Sequence, residues 1–135
     1  MATAPGAQPQ RGSPQAVHYF ALLPLTLHAL TLAESAFAAD GLHLGVGTAI
    51  SAILWLTVLI YWLGNFVYRL EGLQALVMPL AALAVVLPLL LPEPKPLPNT
   101  ELFAFKIHLL IAILAYSLFT IASLHVLLMT LLERR

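Results

Sequence analysis

The sequence has 135 residues, of which 61% are hydrophobic and only 9% are charged, and its mean hydropathy is +0.93. About a quarter of the residues in soluble globular proteins are charged, so this composition indicates a membrane protein. The formal net charge is zero and the basic residues do not cluster, which argues against a nucleic-acid partner. The chain has no cysteine and therefore forms neither a disulfide nor a thiolate metal site.

The first 16 residues are rich in Pro, Gly and Gln and lack large apolar side chains, so residues 1–16 are predicted to be a disordered cytoplasmic tail. Four apolar segments follow, each long enough to cross about 30 Å of hydrocarbon as a helix. The predicted helices are residues 17–37, 43–68, 72–91 and 102–132. The sequence therefore predicts an all-α polytopic membrane protein, with residues 17–135 as one transmembrane domain of about four helices.

Short connections join these helices at residues 38–42, 69–71 and 92–101, which favours an antiparallel bundle. The four prolines of the last connection favour an extended backbone. The third helix contains Pro79 and Pro88, and we expect a kink there because proline removes a helical hydrogen bond.

Basic residues predict the orientation of the bundle. Four arginines fall on one side of the predicted membrane and two lysines on the other: Arg11, Arg69, Arg134 and Arg135, against Lys95 and Lys106. Basic residues prefer the cytoplasmic side. Both termini are therefore predicted to be cytoplasmic, and the 38–42 and 92–101 connections to face outward.

A secretory signal is an alternative interpretation of the N-terminal region. Arg11 precedes an apolar stretch, and Ala36 and Ala38 provide the small residues of a cleavage site. Against this interpretation, His18 and His28 interrupt the apolar stretch, which is also longer than a typical signal core. We interpret the region as a membrane helix, and cleavage of residues 1–38 stays an open alternative.

Histidines are the candidate functional residues. His28 falls near the middle of the first helix, and His43 and His108 fall at the outer ends of the second and fourth, so these three could approach a flat apolar cofactor in the outer half of the bundle. Ionisable groups inside membrane helices are functional candidates, and neutral imidazole is a common ligand of metals and haem iron. His18 and His125 are interpreted as interfacial residues, and His125 is roughly 26 Å from His108 along one helix.

The fourth helix carries His108, then "AYS" at residues 115–117, then small residues and a basic end. Together with "LHALTL" at residues 27–32, it resembles the CcsA-type cytochrome c assembly proteins and their YpjD-like inner-membrane branch. The order of helices is also similar: a histidine helix, a Gly/Ser/Trp helix, a proline-bearing helix and the "AYS" helix. The resemblance covers about residues 17–135.

The resemblance implies a bacterial inner-membrane protein that handles haem at the outer face of the membrane for attachment to apocytochrome c. It implies His108 as an axial ligand of the haem iron, and His28 as a ligand within the membrane or a packing residue. His43 is a further candidate to complete the haem site, and Tyr116 is a candidate to bond a haem propionate or a neighbouring helix. The implied partners are the lipid bilayer, haem, other assembly proteins and apocytochrome c.

Departures from the family pattern also matter. Similar proteins have a further helix before the one that bears His28, and several after the position of Arg135, with a tryptophan-rich external segment and a second external histidine. Trp55 and Trp62 share one helix face but fall inside a span, so they do not match that segment. We therefore expect a truncated or split product whose missing helices a separate chain could supply, and poor haem binding by this chain alone.

No enzymatic signature is present: the sequence lacks HExxH, a Gly-rich phosphate loop, G-x-S-x-G and a pair of carboxylates inside a span. The chain is predicted not to be an enzyme. The alternative to haem handling is a ligand-free structural or interaction subunit of a larger membrane complex.

Small residues predict two packing surfaces. Gly47 and Ser51 form a small-xxx-small pair on the second helix. One face of the fourth helix combines small residues with a candidate ligand and is expected to pack or to leave room for a cofactor: His108, Ala112, Ala115, Phe119 and Ala122.

Overall fold

The computed structural model describes residues 14–38, 41–68, 71–91 and 95–135, with the backbone alone for residues 14–18, 38 and 71–76. These residues are mostly helical, which confirms the predicted helical class. The elements in chain order are α1 (Pro14–Ala36), β1 (Phe37–Ala38), β2 (Gly41–Leu42), α2 (Val46–Gly64), α3 (Glu71–Leu90) and α4 (Phe103–Glu133).

Helix boundaries differ from the predictions at both ends of α2 and at the start of α1. Helix α1 begins at Pro14, so residues 14–16 of the predicted tail are helical, and proline suits a first turn because its missing N–H has no partner there. Helix α2 begins at Val46 instead of 43, after the extended backbone of Gly45. It ends at Gly64 instead of 68 because the chain turns over the next residues. Residues 1–13 and the predicted cytoplasmic Arg69 lie outside the described residues.

The predicted loop between the first two helices contains a small antiparallel ribbon formed by β1 and β2. The His43 N–H donates a 2.7 Å hydrogen bond to the Ala36 carbonyl, which holds the end of α1 beside the start of α2. The Leu97 N–H donates a 3.0 Å hydrogen bond to the Leu42 carbonyl, and Pro96 pairs with His43. Backbone hydrogen bonds therefore join the α1–α2 and α3–α4 connections at this end of the bundle.

Helix α2 is central, because it packs against each of the other three helices. Gly47, near its start, lies against Leu91 at the end of α3, while Tyr61, near its end, shares a buried cluster with Val77 near the start of α3 and with Leu124 of α4. These contacts make α2 and α3 antiparallel, as the short connection predicted.

The packing of the helices buries small and hydroxyl-bearing residues and leaves large apolar side chains on the surface. The buried residues of α2 are Gly47, Thr48, Ser51, Thr57 and Tyr61. By contrast, Phe20 is 76% exposed and Leu89 is 82% exposed. Small residues at helix contacts and an apolar exterior are the arrangement expected of helices that pack in lipid, where burial of apolar side chains gives little driving force.

The buried hydroxyls find partners on helix backbones. Thr57 Oγ1 donates to the Ile53 carbonyl of its own helix at 2.8 Å. Ser117 Oγ of α4 lies 2.7 Å from the Ile113 carbonyl of its own helix and 3.0 Å from the Ile53 carbonyl of α2, so its single proton is shared between the two helices. Across the described residues, every buried side-chain nitrogen and oxygen has a hydrogen-bond partner.

Helices α2 and α4 are long and apolar enough to cross a membrane. In the described residues, helix α1 does not meet the same criteria of length and hydropathy. It contains Pro24, His28 and Glu34. In α3 the part that the structure describes in full is a shorter apolar helix, Val77–Leu90. The structure therefore provides two candidate membrane-spanning helices among the described residues, and the arrangement of four stays a prediction.

Gly47 marks the closest approach of α2 and α3. A Cβ atom at this position would lie 2.9 Å from Leu91 Cδ1 and 3.1 Å from the Leu87 carbonyl oxygen. The first atom belongs to a flexible side chain, but the second belongs to a helix backbone that cannot move alone. Glycine therefore suits the proximity of α3, because an added methyl group would require both neighbours to move.

We predict that Gly47→Ala destabilises the protein, although alanine is intrinsically the better helix former by about 1 kcal/mol. The added methyl group forces α2 and α3 apart, and such overpacking costs about 1–3 kcal/mol. Thermal unfolding of the solubilised chain, followed by circular dichroism, measures the effect. Val46→Ala, at an adjacent position that is 71% exposed, is the control and should change the midpoint little; a Gly47→Ala midpoint at or above that of the parent protein contradicts the prediction.

Candidate functional site: a cavity between three helices

A cavity of about 320 Å³ lies between α1, α2 and α3. Each helix lines it with four residues at the spacing i, i+3, i+4 and i+7, which is one face of a helix over two turns. These are positions 21, 24, 25 and 28 of α1, positions 58, 61, 62 and 65 of α2, and positions 78, 81, 82 and 85 of α3. The cavity is therefore a gap between three helix faces, about 10 Å long in the direction of the helices.

The cavity wall is mainly apolar. Its lining residues include no Asp, Glu, Lys or Arg, and its polar side-chain groups are the His28 imidazole, the Asn65 amide, the Tyr61 hydroxyl and the Trp62 indole N–H. Three alanines, at positions 21, 81 and 82, leave the space that larger side chains would fill. Such a wall suits an uncharged ligand, because a buried charge without a partner is strongly unfavourable.

His28 occupies the end of this cavity near the middle of α1. Its side chain is only 7% exposed, and its Nε2 atom is hydrogen-bonded to Ser51 Oγ of α2 at 2.9 Å. One turn earlier on α1, the Leu25 carbonyl accepts a 2.9 Å hydrogen bond from Trp55 Nε1 of α2. The two bonds join α1 to α2, and a metal or haem iron could bind His28 through Nε2 only if the bond to Ser51 were lost.

His43 follows β2 at the ribbon end of the bundle, where its ring is half-buried. Its Nδ1 atom is hydrogen-bonded to the Gly41 carbonyl at 3.1 Å. His43 is not among the residues that line the cavity, so the structure does not place it beside His28.

His108 and Tyr116 project from α4 and are exposed, Tyr116 by 61%. They are about 12 Å apart along the axis and about 80° apart around it. His125 is exposed farther along the same helix, and the side chain of His18 lies outside the described residues. In the part of the chain that the structure describes, the His108 imidazole has no hydrogen-bond partner, so it is available to an external ligand.

The predicted packing face of α4 is instead mostly exposed. Of its five residues only Ala112 is half-buried; the other four are exposed: His108, Ala115, Phe119 and Ala122. Helix α4 packs through the face that carries its two buried residues, Ser117 and Leu124, because the Ser117 hydroxyl reaches the backbone of α2. The His108 face is therefore mostly unpacked against the described helices, and the alternative that it leaves room for a cofactor stays a prediction.

The predicted pair of small residues on α2 does lie at helix contacts. Gly47 contacts α3, and Ser51 bonds to His28 of α1. Trp55 and Trp62 also share a face as predicted, since the first donates to α1 and the second lines the cavity that α1 bounds. The cavity itself was not predicted, although the alanines at 21, 81 and 82 were visible in the sequence.

Within residues 14–38, 41–68, 71–91 and 95–135, no group of three or more His, Cys, Asp or Glu residues is placed to hold a metal ion. Comparison of the chain with family models, curated proteins and solved structures finds no match. The relationship to CcsA-type assembly proteins therefore stays a hypothesis that rests on the short motifs around His28 and His108.

We predict that Ser51→Ala destabilises the protein by about 1–3 kcal/mol, because it leaves the buried His28 Nε2 without a partner. The double variant His28→Leu/Ser51→Ala should lose less stability than the sum of the two single variants, since it removes both polar groups together. Chemical or thermal unfolding of the solubilised chain measures both effects.

Ser123→Ala provides the matched control for Ser51→Ala. Ser123 is exposed on α4, and its hydroxyl bonds only to the Phe119 carbonyl of the same helix, at 2.9 Å. Equal losses of stability in the Ser51 and Ser123 variants would contradict a special role for the bond between His28 and Ser51.

Proposed function

We propose that this chain is a non-enzymatic helical component of the bacterial inner membrane that takes part in cytochrome c assembly, with His108 as an axial ligand for haem at the outer face. The observation that carries the proposal is the exposed His108 imidazole on α4, which precedes the "AYS" element of the resemblance and is not used in packing. Apocytochrome c and other assembly proteins are the partners that this role requires.

The packing of the helices, with small and hydroxyl-bearing residues inside and large apolar residues outside, supports the membrane location in this proposal. Hydroxyl and glycine residues of α2 are buried, while the leucines and phenylalanines around the bundle are exposed. In water, so large an exposed apolar surface would promote aggregation, whereas lipid covers it without cost. We therefore propose that all four helices lie in the membrane, including α1 and α3.

The described residues could provide one of the two axial ligands of a haem iron. His108 can supply one imidazole to haem iron, and a bound haem would provide the group that is attached to apocytochrome c. His28 fits less well, because its Nε2 is bonded to Ser51, and the half-buried His43 belongs to the ribbon end of the bundle. A second axial ligand from another chain is therefore part of the proposal.

The exposure of α4 favours a second candidate function. Only Ser117 and Leu124 are buried on this 31-residue helix, so most of its apolar surface is available to another membrane protein. A structural or interaction subunit of a larger complex, without a ligand, would use that surface and would leave His108 unimportant.

We predict that His108→Ala and His125→Ala differ in their effect on haem binding. The chain is loaded with haem in a complex with the partner chain that supplies the second axial ligand, and the Soret band of the complex is recorded. The His108 variant should show a weakened or shifted band that added imidazole partly restores, because free imidazole can occupy the vacant position on iron. His125 is exposed on the same helix but roughly 26 Å away, and its variant should behave as the parent chain does. Identical spectra of the two variants favour the ligand-free subunit.

We also predict that the chain end is cytoplasmic and that the loop before α4 is external. The proposal rests on the excess of arginine on the side of Arg134 and Arg135. A reporter that is active only in the periplasm should work when fused after Pro96 and stay silent when fused after Arg135. The reverse result requires the inverted topology and would place His108 on the cytoplasmic side.

A further inference from the structure

The cavity between α1, α2 and α3 has a shape and chemistry that the haem proposal does not use. Helices α1 and α3 each pack against α2 but not closely against one another. The space left between them runs along the helices for about 10 Å, over two turns of each. Its volume of about 320 Å³ lies at the small end of the range for ligand pockets.

We propose that this cavity binds one hydrocarbon chain of a membrane phospholipid. The proposal requires that the helices lie in a membrane, but it does not depend on the haem role of His108.

Chemical properties of the wall favour a hydrocarbon chain over a polar or charged ligand. The lining residues include no Asp, Glu, Lys or Arg, so a charged headgroup would find no oppositely charged side chain of these types there. The His28 imidazole is already bonded to Ser51, and Asn65 is likewise engaged within the protein. A ligand therefore needs no hydrogen-bonding group, and water has little reason to fill a space with mainly apolar walls.

Size and direction favour a single chain over a helix of a partner protein. A helix with its side chains is about 10–12 Å wide, which is too wide for a cavity of about 320 Å³ between three helices. A segment of one flexible chain fits within the length of about 10 Å, and lipid chains in a bilayer run roughly parallel to membrane helices. The alanines at 21, 81 and 82 provide the width along its length.

Native mass spectrometry of the full chain tests the proposal. The protein is purified in detergent micelles without haem and incubated with phosphatidylcholine that carries bromine atoms in one chain. We expect one lipid bound per protein chain. Ala81→Leu fills the cavity and should reduce bound lipid about tenfold, since overpacked sites accept extra atoms poorly.

Ala122→Leu is the matched control, because Ala122 is exposed on α4 and does not line the cavity. It should bind as much lipid as the parent chain. If Ala81→Leu also binds as much lipid as the parent chain, the lipid lies on the outer surface and the proposal is overturned.

Tryptophan fluorescence gives an independent reading that needs no cavity-filling variant. Bromine quenches an indole that it touches, and the chain has two tryptophans, of which Trp62 lines the cavity and Trp55 does not. With one brominated lipid bound, the Trp55→Phe variant, which reports on Trp62, should be quenched more strongly than the Trp62→Phe variant. Equal quenching overturns the proposal, and this comparison decides the question alone if Ala81→Leu does not fold.

Discussion

Helix α2 determines how the rest of the molecule is arranged, because it contacts each of the other three helices. It carries a glycine that admits the backbone of α3 at Gly47, a serine that bonds to α1 at Ser51 and a carbonyl at Ile53 that shares the proton of Ser117 on α4. Each of the three neighbouring helices is thus fixed by a different short-range contact with α2. Such contacts depend on close backbone approach and not on the removal of apolar area from water, which explains why so many leucines and valines can stay outside.

The contacts of α2 also distinguish two histidines. His28 is held by Ser51 inside the bundle, so its substitution is expected to affect folding first. His108 is exposed on α4, so its substitution is expected to affect an external partner first. This division allows a functional histidine and a packing histidine to be distinguished by experiment, because stability and ligand binding respond to different residues.

The positions of the helices could be predicted from the sequence because long apolar runs leave few alternatives. The ribbon could not be predicted, because β1 and β2 have two residues each and no periodicity appears over so short a length. Because the ribbon and the residues after it occupy the start of the predicted second helix, α2 begins at Val46 and not at 43. The packed face of α4 could not be chosen from the sequence, because small residues occur on both sides of that helix: Ser117 is buried, whereas Ala115 and Ala122 are exposed. The cavity lining follows a helical spacing on each of three helices, but no single sequence tells which three faces meet.

Helix α4 is longer than a bilayer requires. Its 31 residues span about 46 Å, whereas the hydrocarbon core is about 30 Å thick and membrane helices rarely tilt by more than about 40°. A tilt within that range cannot place the full length of α4 in the hydrocarbon core. If α4 crosses a membrane, at least one of its ends must therefore extend into the headgroup region. His108 lies five residues after the helix begins at Phe103, in the turn after Lys106. If the end that extends is the N-terminal one, the His108 imidazole lies near the lipid–water boundary, where a partner outside the membrane could reach it.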